Sequence, residues 1–410
     1  MPPRVLHLST YDANGGASRA ALALHDAMVG AGLDSNLWVA RKDTHDPRVH
    51  EHGGTRFLLA SETDRRLWRL QRSPTTTWRS PARFGSLSAR EINASDADVV
   101  NLHWVTDGFL SIEQIGRITK PVVWSMYDMW PFAGTEHYGT DTADARWRSG
   151  YTRDNRPPSE GGFDLDRKSY ERKRRHWRPM HMVPASRWLE QATRASALMG
   201  NWPITRIPHI IDTALMEPWN KEAARARLGL PASAPLILFL ASAGVLDQRK
   251  GWDLLERALP EVRRAIPDLE VVIVGPRDAH YTSPSGTRLH WYGTASTSEE
   301  LRSLYCAADV TAVPSREDNM PLTAMEAQSC GRPVVAFSIG GLPDIVEHEV
   351  TGFLAPMGDV DALAGGLIQA IRDGHGEQHW GAAARQRSLD TWSPQAVVPQ
   401  YLDVYAQVQR

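Results

Sequence analysis

Residues Pro314 to Ala355 read PSREDNMPLTAMEAQSCGRPVVAFSIGGLPDIVEHEVTGFLA. An apolar run at Val310 to Val313 precedes the stretch, a second lies at Val334 to Phe337, and a helical pattern from Leu322 to Ser329 separates them. Short apolar runs bounded by Gly and Pro and alternating with helices are how the strands of a buried parallel sheet read. In such a sheet ligands bind outside the carboxyl ends of the strands, where helix N-terminal amides attract anions. Pro314 to Asn319 occupies that place. Asp318 stands on the loop and Glu326 inside the helix, so two acceptor-only groups can each grip vicinal hydroxyls while the amides of Asn319, Met320 and Leu322 face phosphates. Pro321 has no amide to give. The other reading of the same residues is a helix whose Asp318 caps the orphan amides and whose Glu326 is merely solvated.

The alternation extends outward from this stretch. Behind it, a helix at Lys221 to Leu228 leads into strands at Leu236 to Leu240, Glu270 to Val274 and Leu289 to Tyr292, with helices at Trp252 to Ile266 and Glu299 to Cys306. The first half repeats the pattern. Strands are expected at Val5 to Leu8, Asn36 to Val39, Val99 to Leu102, Val122 to Trp124 and His181 to Pro184, and a helix from Ser18 to about Val29. Pro203, Pro208 and Pro218 break the periodicity, which places a junction near Gly200 to Thr213. Two α/β domains with doubly wound parallel sheets follow, facing each other across a cleft. The first is expected over residues 1–200 and the second over 215–388, with a final helix over 389–410 returning to the first.

Bulk properties agree with this division. A chain of 410 residues exceeds what one core usually supports. Apolar content of 42%, charged content of 23%, and 46 basic against 48 acidic residues describe an ordinary globular protein and give no reason to expect a nucleic-acid partner. Met1-Pro2-Pro3-Arg4 runs straight into a short apolar stretch, unlike a signal peptide, and the longest apolar runs fall short of the ~20 residues of a spanning helix. A cytoplasmic protein is expected, with any membrane contact peripheral. Cys306 and Cys330 read as core thiols of a reducing compartment.

The quoted stretch resembles the donor-site signature of the glycosyltransferases of family four, which have the GT-B fold of two Rossmann-like domains and retain anomeric configuration. That family carries two glutamates flanking seven residues, and here Asp318 stands in place of the first, with Glu317 beside it, and Glu326 in place of the second. The resemblance implies that Asp318, or Glu317, contacts the hydroxyls of a donor sugar and that Glu326 holds a ribose. Lys250-Gly251 is similar to the family's cation after the first strand of this domain, whose earlier arginine has no counterpart in Ala241-Ser242-Ala243-Gly244; Arg249 is the substitute. Cations here neutralise a leaving diphosphate, the task of a divalent metal in other transferases, and no metal or other cofactor is expected. Tyr292-Gly293-Thr294 resembles the base-binding loop, although Trp291 and Tyr292 also read as core aromatics.

In the first half, Gly15-Gly16-Ala17-Ser18 resembles the family's N-terminal glycine loop, where small residues let acceptor and diphosphate approach the backbone. Ser125 to Tyr138 is similar to a motif of polysaccharide-building members in which a histidine precedes the aspartate, but this chain has Tyr127 before Asp128. His103 beside Trp104 is a second candidate for that histidine, or a satisfied structural residue. Lys250, Asp318, His103 and Asp128 are thus the catalytic candidates, and Gly15, Gly16, Tyr127, Asp128 and His137 the acceptor-binding ones. The basic run Arg167 to Arg178 with Trp177 reads either as a solvated helix face or as contact with anionic lipid or a phosphorylated acceptor. Val183 to Leu189 and Ile207 to Asp212 match the end of the family's first domain, with His209 where asparagine is usual.

The expected activity is transfer of a hexosyl-type sugar from a nucleotide diphosphate sugar to an acceptor hydroxyl with retention, in cell-surface glycan or glycosylated-metabolite biosynthesis. The acceptor is unidentified, a lipid-linked or small-molecule glycan. The alternatives are a sugar-nucleotide epimerase or hydrolase on the same fold, or a non-catalytic sugar-nucleotide binding protein.

Overall fold

A computed structural model describes residues 2–74, 77–241, 244–276, 281–295, 297–373 and 380–410. The chain divides into two compact units, one formed by Met1–Pro208 with Val398–Arg410 and the other by His209–Val397.

The first unit is built on a parallel sheet of β1 (Val5–Tyr11), β2 (Ser35–Arg41), β3 (Val49–Glu51), β4 (Val99–Leu102), β5 (Val122–Met126) and β6 (His181–Pro184). Their order across the sheet is β3-β2-β1-β4-β5-β6 and every pairing is parallel. Strands β4, β5 and the edge strand β6 are buried along their length, as strands covered on both faces are, which is why they read as short apolar runs. Strand β3 was not legible beforehand: it is a short edge strand in which only Val49 is buried. Helix Pro394–Val408 contributes its later turns to this unit. There Tyr401 Oη lies 2.9 Å from Ser125 Oγ, and Tyr405 is buried against Met28.

The second unit repeats the plan with β7 (Leu236–Leu240), β8 (Glu270–Val274), β9 (Arg288–Gly293), β10 (Val310–Val313), β11 (Val334–Phe337) and β12 (Gly352–Ala355), ordered β9-β8-β7-β10-β11-β12 and parallel throughout. In both sheets the strand order reverses beside the first strand, between β1 and β4 and between β7 and β10. That switch point is where open α/β sheets bind ligands. Cys306 and Cys330 are buried free thiols that face each other, and this contact lowers the Cys306 pKa to about 7.

The basic run is solvated at Lys168, Arg174, Arg175 and Arg178, but not at every member. Lys173 is fully buried on helix Leu165–His176, where its ammonium donates to the carbonyls of Trp130, Ala133 and Gly134 and lies 3.9 Å from the centre of the Trp130 ring. Burial pushes its pKa far down. Trp177 is buried as well and Arg172 pairs with Glu113 at 2.7 Å, so three members of the run hold the domain together and are not available to a lipid surface. Among the described residues no helix is long and apolar enough to cross a membrane.

Candidate functional site

The switch point of the second sheet is occupied by two loops, one after β7 and one after β10. Asp247 caps the short helical turn Gln248–Lys250, and Gly251 ends it at φ +70°, where a Cβ would lie 2.0 Å from the carbonyl oxygen of Pro314. The loops are stitched together by Arg316, whose amide donates to the Arg249 carbonyl and whose guanidinium grips Asp253 with two bonds of 2.7 Å. A third turn closes on them. Gly340, at φ +51°, would place a Cβ 1.9 Å from the Asp318 carbonyl oxygen, so only glycine allows that approach.

This packing sets Asp318 among cations. Lys250 Nζ lies 2.6 Å from Asp318 Oδ2, Arg249 Nη1 lies 3.7 Å from the same oxygen, and Ser315 Oγ donates to it at 3.3 Å. Burial works to raise the Asp318 pKa, but Lys250 and Arg249 outweigh it and hold the carboxylate below its ordinary range. Glu317 engages Arg249 through its backbone carbonyl instead, at 3.1 Å, and burial raises its pKa. Of the two acidic neighbours, Asp318 is the one that faces the cations. His209 adjoins the cluster: burial lowers its pKa to about 4 against the opposing charge of Asp318.

Asp318 does not cap the following helix. Helix Leu322–Ser329 starts after Pro321 with no side-chain cap and no acid in its first turn, so its first amides form an open anion-attracting end beside two cations. Asn319, Met320 and Leu322 are buried at that end. Glu326 is also buried rather than solvated, and it accepts a 2.7 Å bond from Tyr305 Oη, a partner that nothing in the sequence pattern signals.

The loop expected to hold a base is divided. Trp291 packs on Tyr281 at the edge of the core, with ring centres 6.0 Å apart, while the Tyr292 ring lines a surface pocket with Leu228 and Leu230. Gly293, at φ +82°, and the exposed Thr294 stand at the strand end, where the Gly293 carbonyl accepts from the Gly275 amide at 2.7 Å. Ser242 and Ala243, where the family's first cation has no counterpart, lie outside the described residues.

In the first unit, Gly15 precedes helix Gly16–Gly30 at φ +90° with no side-chain cap, and a Cβ at Gly15 or Gly16 would meet nothing within 4 Å. The helix N-terminus is therefore open. His103 is only 1% exposed; its Nδ1 lies 2.8 Å from Tyr127 Oη and its Nε2 lies 2.8 Å from His7 Nδ1. Both ring nitrogens thus sit in an internal polar chain, with Asn101 touching both histidines at 3.3 Å. Asp128 Oδ2 lies 2.6 Å from His137 Nδ1, its Oδ1 accepts from the Trp130 amide, and His137 Nε2 lies 2.8 Å from Ser80 Oγ. Asp128 and His137 are brought together as a pair, and Ser80 completes their line without any signal in the sequence.

Residues 234–373 match the family model described as glycosyl transferases group 1. A D-inositol 3-phosphate glycosyltransferase of Segniliparus rotundus is 37% identical over 158 residues, which is 36% of this chain and 34% of the relative. A GDP-mannose-dependent alpha-(1-6)-phosphatidylinositol monomannoside mannosyltransferase of Mycolicibacterium smegmatis is 33% identical over 213 residues, covering 48% of this chain and 55% of the relative. The matches thus span between about a third and a half of these curated relatives' length. Among solved structures, sucrose-phosphate synthase from Thermosynechococcus elongatus superposes with a TM-score of 0.67 at 18% identity, covering 99% of both chains. Anabaena HepE in complex with UDP and glucose gives 0.66 at 16% identity, covering 99% of this chain and 100% of that one. The fold is GT-B.

Proposed function

We propose that this chain, whose residues 234–373 carry the match to glycosyl transferases group 1, is a glycosyltransferase that moves a hexosyl-type sugar from a nucleotide diphosphate sugar to an acceptor hydroxyl. The observation that carries the reading is the Lys250–Asp318 pair, 2.6 Å apart, beside the uncapped end of helix Leu322–Ser329 at the switch point of the second sheet.

A sugar diphosphate presents two kinds of group, and this arrangement answers both. The diphosphate takes Lys250, Arg249 and the amides of Asn319, Met320 and Leu322, whose charge and dipoles stabilise the negative charge that develops on the leaving group. Asp318, a carboxylate with acceptor capacity only, takes sugar hydroxyls once Lys250 turns to phosphate. Glu326 holds the ribose from its place beside Tyr305, and Gly293 with Thr294 lies against the base. Two cations and a helix terminus do the neutralising work of a metal, which supports a metal-independent reaction.

For the acceptor, the reading uses the open Gly15-Gly16 turn and the Asp128–His137 pair, with Tyr127 held in place by His103. Retention rests on the resemblance of the donor motif to family four. UDP and glucose in HepE, and GDP-mannose in the name of the mannosyltransferase relative, support a nucleotide-sugar donor without choosing the base. The test is turnover of nucleotide sugars with and without glycan acceptors. Transfer that depends on the acceptor is expected. Full-rate turnover without acceptor would make the protein an epimerase or hydrolase, and tight donor binding with no transfer to any acceptor would make it a binding protein.

A further inference from the structure

Helix Gly16–Gly30 carries a buried histidine that neither the donor nor the acceptor reading uses. His25 is 0% exposed. Its ring meets His7 of β1 edge-on with centres 5.9 Å apart, and its Nδ1 lies 2.7 Å from the hydroxyl of Ser35, the first residue of β2. Its other nitrogen, Nε2, has no hydrogen-bond partner. With Nδ1–H donated to Ser35, Nε2 keeps a lone pair; the opposite tautomer would bury an N–H with nothing to accept it, the costlier arrangement. Burial lowers the pKa of the ring to about 4, so it is neutral at physiological pH.

Two carboxylates stand beside this imidazole. A ring nitrogen of His25 and an oxygen from each of Asp26 and Asp46 all lie within 4.8 Å of one another. Asp26 is the next residue of the helix and Asp46 belongs to the turn before β3, so the fold joins them and no spacing in the sequence signals it. Asp46 is held in place from behind. Its Oδ1 accepts from the Arg48 amide at 2.7 Å, while its carbonyl and that of Val49 receive the Lys42 ammonium at 2.6 and 2.9 Å. Half-buried, its carboxylate makes no ion pair among the described residues.

We propose that His25 Nε2 and the carboxylates of Asp26 and Asp46 bind a zinc ion. One imidazole and two carboxylates are zinc ligands, and water on the side of the exposed Asp26 makes the fourth. Ser35 at the far ring nitrogen and the Arg48 amide at Asp46 are the outer contacts that orient such ligands. The ion fastens the helix to the turn before β3. Because Ser35 begins β2, the cluster stands toward the amino ends of the strands, about 13 Å along the helix from Gly16 at the open turn. The role is structural and does not depend on the donor or acceptor reading.

The test uses the full chain, stripped of metal with a chelator and titrated with zinc chloride. Calorimetry is expected to give one ion per chain at micromolar affinity or tighter, and melting curves a rise of several degrees that the chelator reverses. Asp46→Asn should weaken binding by about tenfold or more, and Asp34→Asn, an exposed acid outside the cluster, should leave it unchanged. Since replacing the buried His25 risks the fold, its part is read in the parent: the His25 Nε2 resonance in long-range nitrogen–proton NMR spectra should shift when zinc is added. Absence of stoichiometric binding, binding that Asp46→Asn leaves unchanged, or a bound ion that does not move the His25 Nε2 resonance overturns the proposal. Nucleotide-sugar binding measured without zinc decides the donor reading separately.

Discussion

Lys250 Nζ and Asp318 Oδ2 lie 2.6 Å apart, joining the loop after the first strand of the second sheet to the loop after its neighbour across the switch point. The pair holds a carboxylate charged in a buried place and sets a cation where a diphosphate would lie. Each half can be tested separately.

Replacing Lys250 with alanine removes the cation nearest the proposed leaving group. Turnover is expected to fall by about two to three orders of magnitude, the range found when one preorganised donor to developing charge is lost. Steady-state kinetics beside a melting curve checks this. A variant as active as the parent refutes the role of Lys250.

Asp318→Asn removes the charge that Lys250 and Arg249 stabilise. Because the folded pKa of Asp318 is depressed, its contribution to stability is present above the unfolded carboxylate value and disappears as pH falls through the folded one. Unfolding free energies measured from pH 6 downward should therefore converge for parent and variant in acid. Curves that stay parallel would show that the carboxylate is not stabilised.

Gly340→Ala puts a methyl group 1.9 Å from the Asp318 carbonyl oxygen, whereas Gly358, at φ +80°, has open space around it. Gly358→Ala should cost about 1 kcal/mol from backbone strain alone. Gly340→Ala should cost more and also weaken nucleotide-sugar binding, because Asp318 must move. Chemical denaturation gives the first comparison and calorimetry the second; equal costs with unchanged binding would contradict the packing argument.

Glu136 is half-buried near Asp166, and desolvation of its carboxyl followed by that neighbouring charge pushes its pKa up to about 8. A raised folded pKa contributes stability that is complete below the unfolded value, near 4.3, and is lost as pH rises through about 8. The parent should therefore lose melting temperature between pH 5 and 8 more steeply than Glu136→Gln. Identical slopes in that window would show that Glu136 does not carry the proton.

The strands Leu236–Leu240, Glu270–Val274, Val310–Val313 and Val334–Phe337 were legible in the sequence because strands buried on both faces are apolar runs with Gly and Pro at their ends. Val49–Glu51 was not, since an edge strand with one buried residue carries no such run. In the site, the motif brought Lys250 and the 317–318 pair to notice, but two adjacent acids on a loop differ only in where the backbone aims them. Lys173 misled for a related reason. A lysine inside a basic run reads as solvated unless the carbonyls that receive it, here those of the turn at Trp130 to Gly134, are known to converge. The polar line through Ser80, His137 and Asp128 joins residues far apart in the chain, and spacing does not encode it.

Thermal unfolding of the parent and Lys250→Ala proteins across uridine, guanosine, adenosine and thymidine diphosphate sugars tests the central claim most directly. A ligand at about a hundredfold its dissociation constant stabilises by roughly 2.7 kcal/mol, enough to move a melting temperature by several degrees. At least one nucleotide sugar is expected to raise the parent's melting temperature and to lose most of that effect in Lys250→Ala. No shift with any of them, or an equal shift in both proteins, would contradict a donor site built on Lys250 and Asp318.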